Sequence, residues 1–242
     1  MPRSRARSAS RPAVLAGAIT AFLSAMVAPG LLPAAGAATG ATARAAPGSS
    51  DQAIEKQAVL KRSDLEAGWV ATPRSRTEPS TDPACAGIET VNQTLRPRAT
   101  QSPDFTKSEL TMINNSVVVL KTAKEAKRAL EPYRESRAAA CIEGVVREAF
   151  SRPGIASLRV VVAPVTDVPA GADEAAGFTI QVYATTSPTA QQPSQSTVLV
   201  NDLLLARVGR AITSFAFLNQ AKPLPQQYEA IDTVVGRLER AL

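Results

Sequence analysis

The stretch from Leu158 to Leu218 most constrains the fold. Leu158 to Val165 is an uninterrupted run rich in β-branched residues. Phe178, Ile180, Val182 and Ala184 then alternate with Thr179, Gln181, Tyr183 and Thr185, the period-two pattern of a strand with one face in and one face out. Thr197 to Val208 reads as a long strand, with a bulge or turn expected at Asn201-Asp202. Gly209-Arg210 supplies a tight turn into Ala211 to Leu218. Strands joined so closely pair in sequence order, as an antiparallel meander.

Helical signals bracket this region. Gln52 to Leu60 is a short candidate helix, and so is Ala84 to Leu95, which bears Cys85. Ser63-Asp64-Leu65-Glu66 reads as a capped turn with Ser63 as its N-cap. Lys107 to Lys121 is extended, with Ser116 to Leu120 as its buried part. Thr122 then caps a helix with Glu125 at the third position, and Ala123, Ala126, Leu130 and Tyr133 share one face. Pro132 either kinks this helix or starts a second one. The helical region runs through Cys141 towards Phe150, and Pro153-Gly154 stops it. Pro225 opens a last helix whose apolar face is Tyr228, Ile231, Val234, Val235 and Leu238. This order predicts an α+β fold: a mainly antiparallel sheet of about five strands, with helices packed on one face.

The first residues follow a different logic. Arg3, Arg5, Arg7 and Arg11 precede the uncharged apolar stretch Ala13 to Leu32, and small residues follow, with Ala35-Gly36-Ala37, Ala41-Thr42-Ala43 and Ala43-Arg44-Ala45 as candidate cleavage sites. Basic, apolar, then small is the secretory pattern. Residues 1–45 are therefore expected to be a cleaved export signal, a reading favoured over a retained membrane helix because Pro29 and Gly30 interrupt the apolar run. Residues 46–62 are expected to be flexible or briefly helical, and 63–242 to form one globular domain. No cysteine lies near a cleavage site, so no lipid anchor or other stable membrane attachment is expected, and the protein is predicted to be released outside the cell.

Export also alters the reading of charge and cysteine. The net charge is +6, and removing the four leading arginines leaves +2. A nearly neutral remainder gives no electrostatic reason to expect nucleic-acid binding. The two cysteines, Cys85 and Cys141, would meet an oxidising compartment, where an even count predicts a disulfide.

Composition narrows the chemistry further. The sequence contains no histidine, which excludes Ser-His-Asp and Cys-His sites as well as histidine metal ligands. Two thiolates alone fall short of a zinc set, no acidic calcium loop or glycine-rich phosphate loop is evident, and neither a metal nor a cofactor is expected. Carboxylate-only hydrolysis is the one enzyme class left open. Its nearest candidates, Asp173 and Glu174, are adjacent and read as solvated turn residues. Trp69, the single tryptophan, is the leading ligand-stacking candidate, with core packing as the competing role. Arg207 is a candidate contact for an acidic ligand, and Ser187 to Ser196 is a candidate binding loop.

Four segments carry a family resemblance. Leu60-Lys61-Arg62-Ser63-Asp64-Leu65-Glu66-Ala67-Gly68-Trp69 is similar to an opening of leucine, then Asp-Leu, then Gly-Trp. Val117 to Ala129 resembles a strand followed by an alanine-rich helix that leads to a cysteine, here Cys141. Gly171-Ala172-Asp173-Glu174-Ala175-Ala176-Gly177-Phe178 resembles a Gly-Asp-Glu turn before a strand, and Leu205-Ala206-Arg207-Val208-Gly209-Arg210 a late Arg-x-Gly strand end. Together they resemble the extracytoplasmic sensor-type domains of actinobacteria, found on receptor serine/threonine kinases and in related secreted proteins. The resemblance implies a non-catalytic module that binds or senses a ligand in a cleft. Its partner would be an unknown small molecule or an exported protein. A secreted inhibitor or partner-binding domain is the alternative, and a carboxylate-dependent hydrolase a weaker one.

Overall fold

The computed structural model describes residues 49–74, 85–151, 153–188 and 193–242. The export signal predicted at 1–45 lies outside them. Among the described residues five helices and eight strands follow in the order α1 (Ser49–Ala58), β1 (Val70–Thr72), α2 (Ala86–Leu95), β2 (Thr100–Gln101), β3 (Asp104–Ser108), β4 (Thr111–Val119), α3 (Ala123–Arg134), α4 (Ser136–Phe150), β5 (Ile155–Pro164), β6 (Glu174–Thr186), β7 (Ser196–Val208), β8 (Ala211–Gln220) and α5 (Gln227–Ala241). A 3-10 turn at Arg62–Asp64 separates α1 from β1. Among the described residues no helix is long and apolar enough to cross a membrane.

The class is α+β, as the sequence predicts, but the sheet has eight strands instead of about five. Its order is β1-β3-β4-β8-β7-β6-β5, with β2 on the same edge of β4 as β3, and every pairing is antiparallel. The meander β5-β6-β7-β8 forms as expected. The added strands are β1, β2 and β3, none longer than five residues, too short to give a period-two signal. The segment expected to be extended from Lys107 to Lys121 contains the turn of a hairpin, since Ser108 faces Thr111 across β3 and β4. β7 runs through Asn201-Asp202 in unbroken register with both neighbours, so the bulge or turn expected there does not form. Gly209 makes the β7–β8 turn with φ at 54°, a left-handed conformation that glycine adopts without a Cβ penalty.

Helices cover both faces of the sheet, not one. On one face α2, α3 and α4 pack Ile88, Leu130, Ile142 and Val146 against Phe178, Ile180, Leu203 and Leu205. On the other, α1 with the residues that follow it and α5 pack Ala58, Leu60, Ile231, Val234 and Leu238 against Val117, Leu204, Phe215 and Phe217. Successive residues of β7 therefore enter different cores. Two-sided burial also explains why Ala211 to Leu218 is buried at every position: a strand enclosed on both faces has no polar alternate. The edge of the meander is different. β6 keeps its alternation, with Thr179, Gln181 and Tyr183 only half-buried, because α5 does not extend over it.

Local signals fix the helices. Thr122 Oγ1 accepts the Glu125 N–H at 3.1 Å, and Glu125 Oε2 in turn accepts the Lys121 N–H at 3.2 Å, so two unpaired donors at the start of α3 are satisfied. Ala126, Ala129, Leu130 and Tyr133 form the buried face of α3, while Ala123 is exposed. Pro132 lies inside α3, and the break before α4 comes at Glu135, whose backbone is extended. Cys85 stands at the start of α2 and is bonded to Cys141 of α4, with Cα atoms 5.0 Å apart. Both cysteines are buried.

Two polar side chains enclosed beside the second core, Asn115 and Glu55, are paired, whereas Trp69 Nε1 has no hydrogen-bond partner among the described residues. Asn115 on β4 accepts the Leu60 N–H at 3.0 Å and donates to Thr213 Oγ1 and the Ser214 carbonyl. Glu55 of α1 is 1% exposed and accepts from Val119 N–H at 2.8 Å and Thr100 Oγ1 at 2.9 Å. Burial raises the Glu55 carboxyl above its ordinary range, and these hydrogen bonds offset only part of that rise.

Candidate functional site

The uncovered edge of the second face carries a cleft of about 450 Å³. Its floor is a row across three adjacent strands: Thr179 of β6 pairs with Asp202 of β7, and Asp202 pairs with Phe217 of β8. Leu204, two residues along β7 from Asp202, extends the same floor. One wall is the first half of α5, with Gln227, Tyr228, Ile231 and Asp232. The other is the segment from Pro164 to Ala170 that leaves β5.

That second wall is held at both ends. Val165 N–H donates to the Gly177 carbonyl at 2.9 Å, and Asp173 N–H donates to the Arg207 carbonyl at 2.8 Å. Between them Gly171 has φ at 80°, and a Cβ built there would lie 2.5 Å from the Glu239 carboxylate of α5. Glycine thus lets the connection turn and approach α5 closely. Val165 and Ala172 add side chains to the second core, while Val168 stays 51% exposed at the rim.

The charged groups of the cleft are of one sign: among the described residues Asp167, Asp202 and Asp232 line it, and no Lys or Arg does. Asp202 is buried, and its Oδ1 accepts from Thr179 Oγ1 at 2.5 Å. Burial pushes the Asp202 carboxyl above its usual range, and the neighbouring Thr179 and Gln227 side chains offset part of the shift. Gln227 is 9% exposed, and its Oε1 has no hydrogen-bond partner among the described residues. Tyr228 sits at the mouth and is 65% exposed. The described residues contain no group of His, Cys, Asp or Glu arranged to hold a metal ion.

The residues singled out from sequence lie elsewhere. Trp69 is 3% exposed in the second core with Leu65 and Phe105, and it does not line the cleft. Its carbonyl accepts from Arg62 Nε at 2.7 Å. Arg207 closes the far end of the β6–β7 pair: its Nη2 bonds Glu174 Oε1 at 3.0 Å, and its Nη1 bonds the Gly209 carbonyl at 2.8 Å and Asp173 Oδ2 at 3.0 Å. Glu174 also binds Arg134 of α3 at 2.6 Å. Asp173 and Glu174 are therefore held in ion pairs and not simply solvated. Of the Ser187 to Ser196 loop, 189–192 lie outside the described residues. Its ends are tied by Ser194 Oγ to the Thr186 carbonyl at 2.8 Å and by the Gln195 N–H to Thr186 Oγ1 at 3.1 Å.

The sequence carries a signal for Asp202: it shares parity with Leu204, Ala206 and Val208, which places a charged side chain on a core face. No family model matches this chain, and no curated protein matches it.

Proposed function

We propose that this chain is an exported, non-catalytic ligand-binding module of the extracytoplasmic sensor type, with its ligand seated between α5 and the 164–170 segment. The observation that carries this reading is the cleft. Its volume of about 450 Å³ falls in the range of roughly 300–1,000 Å³ typical of small-molecule sites. An apolar floor with a few fixed polar groups is the lining such sites use to combine affinity with orientation. The Cys85–Cys141 bond supports the exported setting, because such bonds persist in oxidising compartments. The basic, apolar and small order of the first residues supports it independently.

A second reading, carboxylate-dependent hydrolysis, is favoured by one feature: the buried Asp202 and the exposed Asp232 line the same cleft. Two carboxyls in unlike environments are what acid and base roles require. Against it stands the engagement of Asp202 by Thr179 and Gln227.

Native mass spectrometry of the protein recovered from culture medium tests the binding role. A bound small molecule is expected in the unaltered chain and absent from Ala170→Trp, which fills the rim. An adduct that persists in Ala170→Trp, or no adduct at all, argues against the cleft. Turnover of a glycoside panel that disappears in both Asp202→Asn and Asp232→Asn would move the assignment to the hydrolase.

A further inference from the structure

We infer that the cleft selects a primary alkylammonium ligand, with the ammonium at Asp202 and Gln227 and the alkyl body over Leu204, Phe217 and Ile231. The inference rests on the cleft being the ligand site and adds the chemical class.

Three observations converge on it. The ionisable groups lining the cleft are Asp167, Asp202, Asp232 and the tyrosine Tyr228, with no Lys or Arg to balance the carboxylates. An anionic ligand would meet repulsion from every side, whereas a cation is attracted by all three aspartates. The inner end holds an acceptor in want of a donor: Gln227, 9% exposed, leaves its Oε1 with no hydrogen-bond partner among the described residues. A buried acceptor left unpaired is costly, and a ligand that donates to it recovers that loss. An ammonium offers three donors and no acceptor, which suits the Asp202 carboxylate and Gln227 Oε1 at the inner end. A cation beside Asp202 would also stabilise its ionised form against the burial that raises its pKa.

The remainder of the cleft sets the body of the ligand. Leu204, Phe217 and Ile231 are each 5% exposed or less and form an apolar bed beside these acceptors. At the rim the exposed Tyr228 adds an aromatic ring, which attracts cations through its face. A quaternary ammonium would satisfy the charge but could not donate to Gln227 Oε1. A bare metal cation would not use the apolar bed.

The test is an NMR titration of the full exported chain with hexylammonium chloride, 1-hexanol and sodium hexanoate, matched in chain length and differing in head group. Hexylammonium is expected to perturb the backbone amides of 165–170 and 227–232 with an affinity at least about tenfold above that of 1-hexanol, one charge-assisted contact's worth. Hexanoate should leave them unmoved. Asp232→Asn, an exposed change that preserves the fold, should narrow the gap between ammonium and alcohol, and Asp202→Asn should narrow it more. If 1-hexanol or hexanoate binds the same residues as tightly as hexylammonium, the ammonium class is wrong while the cleft survives as a site. If none of the three perturbs the cleft, both are overturned.

Discussion

Arg237 grips Asp64 through two parallel hydrogen bonds, Nη2 to Oδ1 at 2.6 Å and Nη1 to Oδ2 at 2.8 Å. The pair joins α5 to the 3-10 turn before β1, 173 residues away in sequence. Asp64 Oδ2 also accepts the Lys61 N–H at 2.8 Å. The capped turn expected at Ser63–Glu66 with Ser63 as N-cap lies instead at Arg62–Asp64: Lys61 takes the N-cap position, Asp64 at the third position holds its N–H, and the last helix locks Asp64. Arg237→Ala leaves a carboxylate with 8% side-chain exposure without its cation. The expected loss is about 2 kcal/mol, in the range for hydrogen bonds between charged groups, measured by urea unfolding. A loss no larger than for an exposed arginine such as Arg240 would show that the contact is not formed in solution.

The same aspartate sets part of the acid limb of stability. Burial raises the Asp64 carboxyl, but the Arg237 and Lys61 contacts outweigh it, and the net pKa lies below the ordinary 3.8. The folded state then holds this proton less tightly than the unfolded chain. Its contribution is complete above the unfolded pKa and is lost as pH falls through the lower folded one. Urea midpoints followed downward from pH 5 should decline less steeply in Asp64→Asn than in the unaltered protein, from a lower starting stability.

Glu55 predicts the opposite sign. Its folded pKa is raised above 4.5, chiefly by burial. The folded state holds this proton more tightly, so the contribution is complete below the unfolded pKa and is lost as pH rises through the folded one. Glu55→Gln keeps an acceptor for the Val119 N–H and removes the titration. Its stability is expected to fall less than that of the parent as pH rises from about 4.5 towards neutrality. Equal slopes in the two proteins would refute the assignment.

These residues also show what could be read from sequence. The meander, the Gly209 turn and the Thr122 cap depend on neighbours within a few positions, and the linear pattern encodes them. The second helical layer is legible in principle: Leu203-Leu204-Leu205-Ala206 is apolar without alternation, and Ala211 to Leu218 interrupts its apolar run only at the adjacent Thr213-Ser214, a pattern that a sheet covered on one face does not need. The short strands β1 and β3 are defined by pairing with each other, with Val70 opposite Thr106 and Thr72 opposite Asp104, a relation that no local period reports. The cleft depends on where α5 stops covering the sheet, so Asp202 and Gln227, 25 residues apart and on different elements, meet only after folding. Composition directed attention to the only tryptophan, Trp69, which the second core encloses.

The disulfide links Cys85, the residue just before α2, to Cys141 within α4 across 56 residues. Closing a loop of this length restricts the unfolded chain by about 4 kcal/mol in the chain-entropy picture, an upper figure. Reduction, or replacement of Cys85 and Cys141 together by serine, should lower the urea midpoint while leaving the α1–α5 face intact. Intact mass should rise by two hydrogens on reduction. Free thiols that alkylate in the unreduced protein would show that the bond does not form.

Gly171 offers a test of the cleft wall that separates backbone strain from collision. A Cβ there would meet the Glu239 carboxylate, and φ at 80° disfavours any L side chain. The left-handed conformation itself carries roughly 1–2 kcal/mol for a non-glycine residue. The Glu239 side chain is long and can swing aside, so its share of the penalty should be the smaller. Gly171→Ala is expected to lose about 1–2 kcal/mol, and adding Glu239→Ala should restore only a minor part. Full recovery in the double variant would mean that collision, not backbone conformation, dictates glycine. No loss in the single variant would mean that the 164–173 connection leaves α5 in solution, and the cleft would lose the wall that gives it depth.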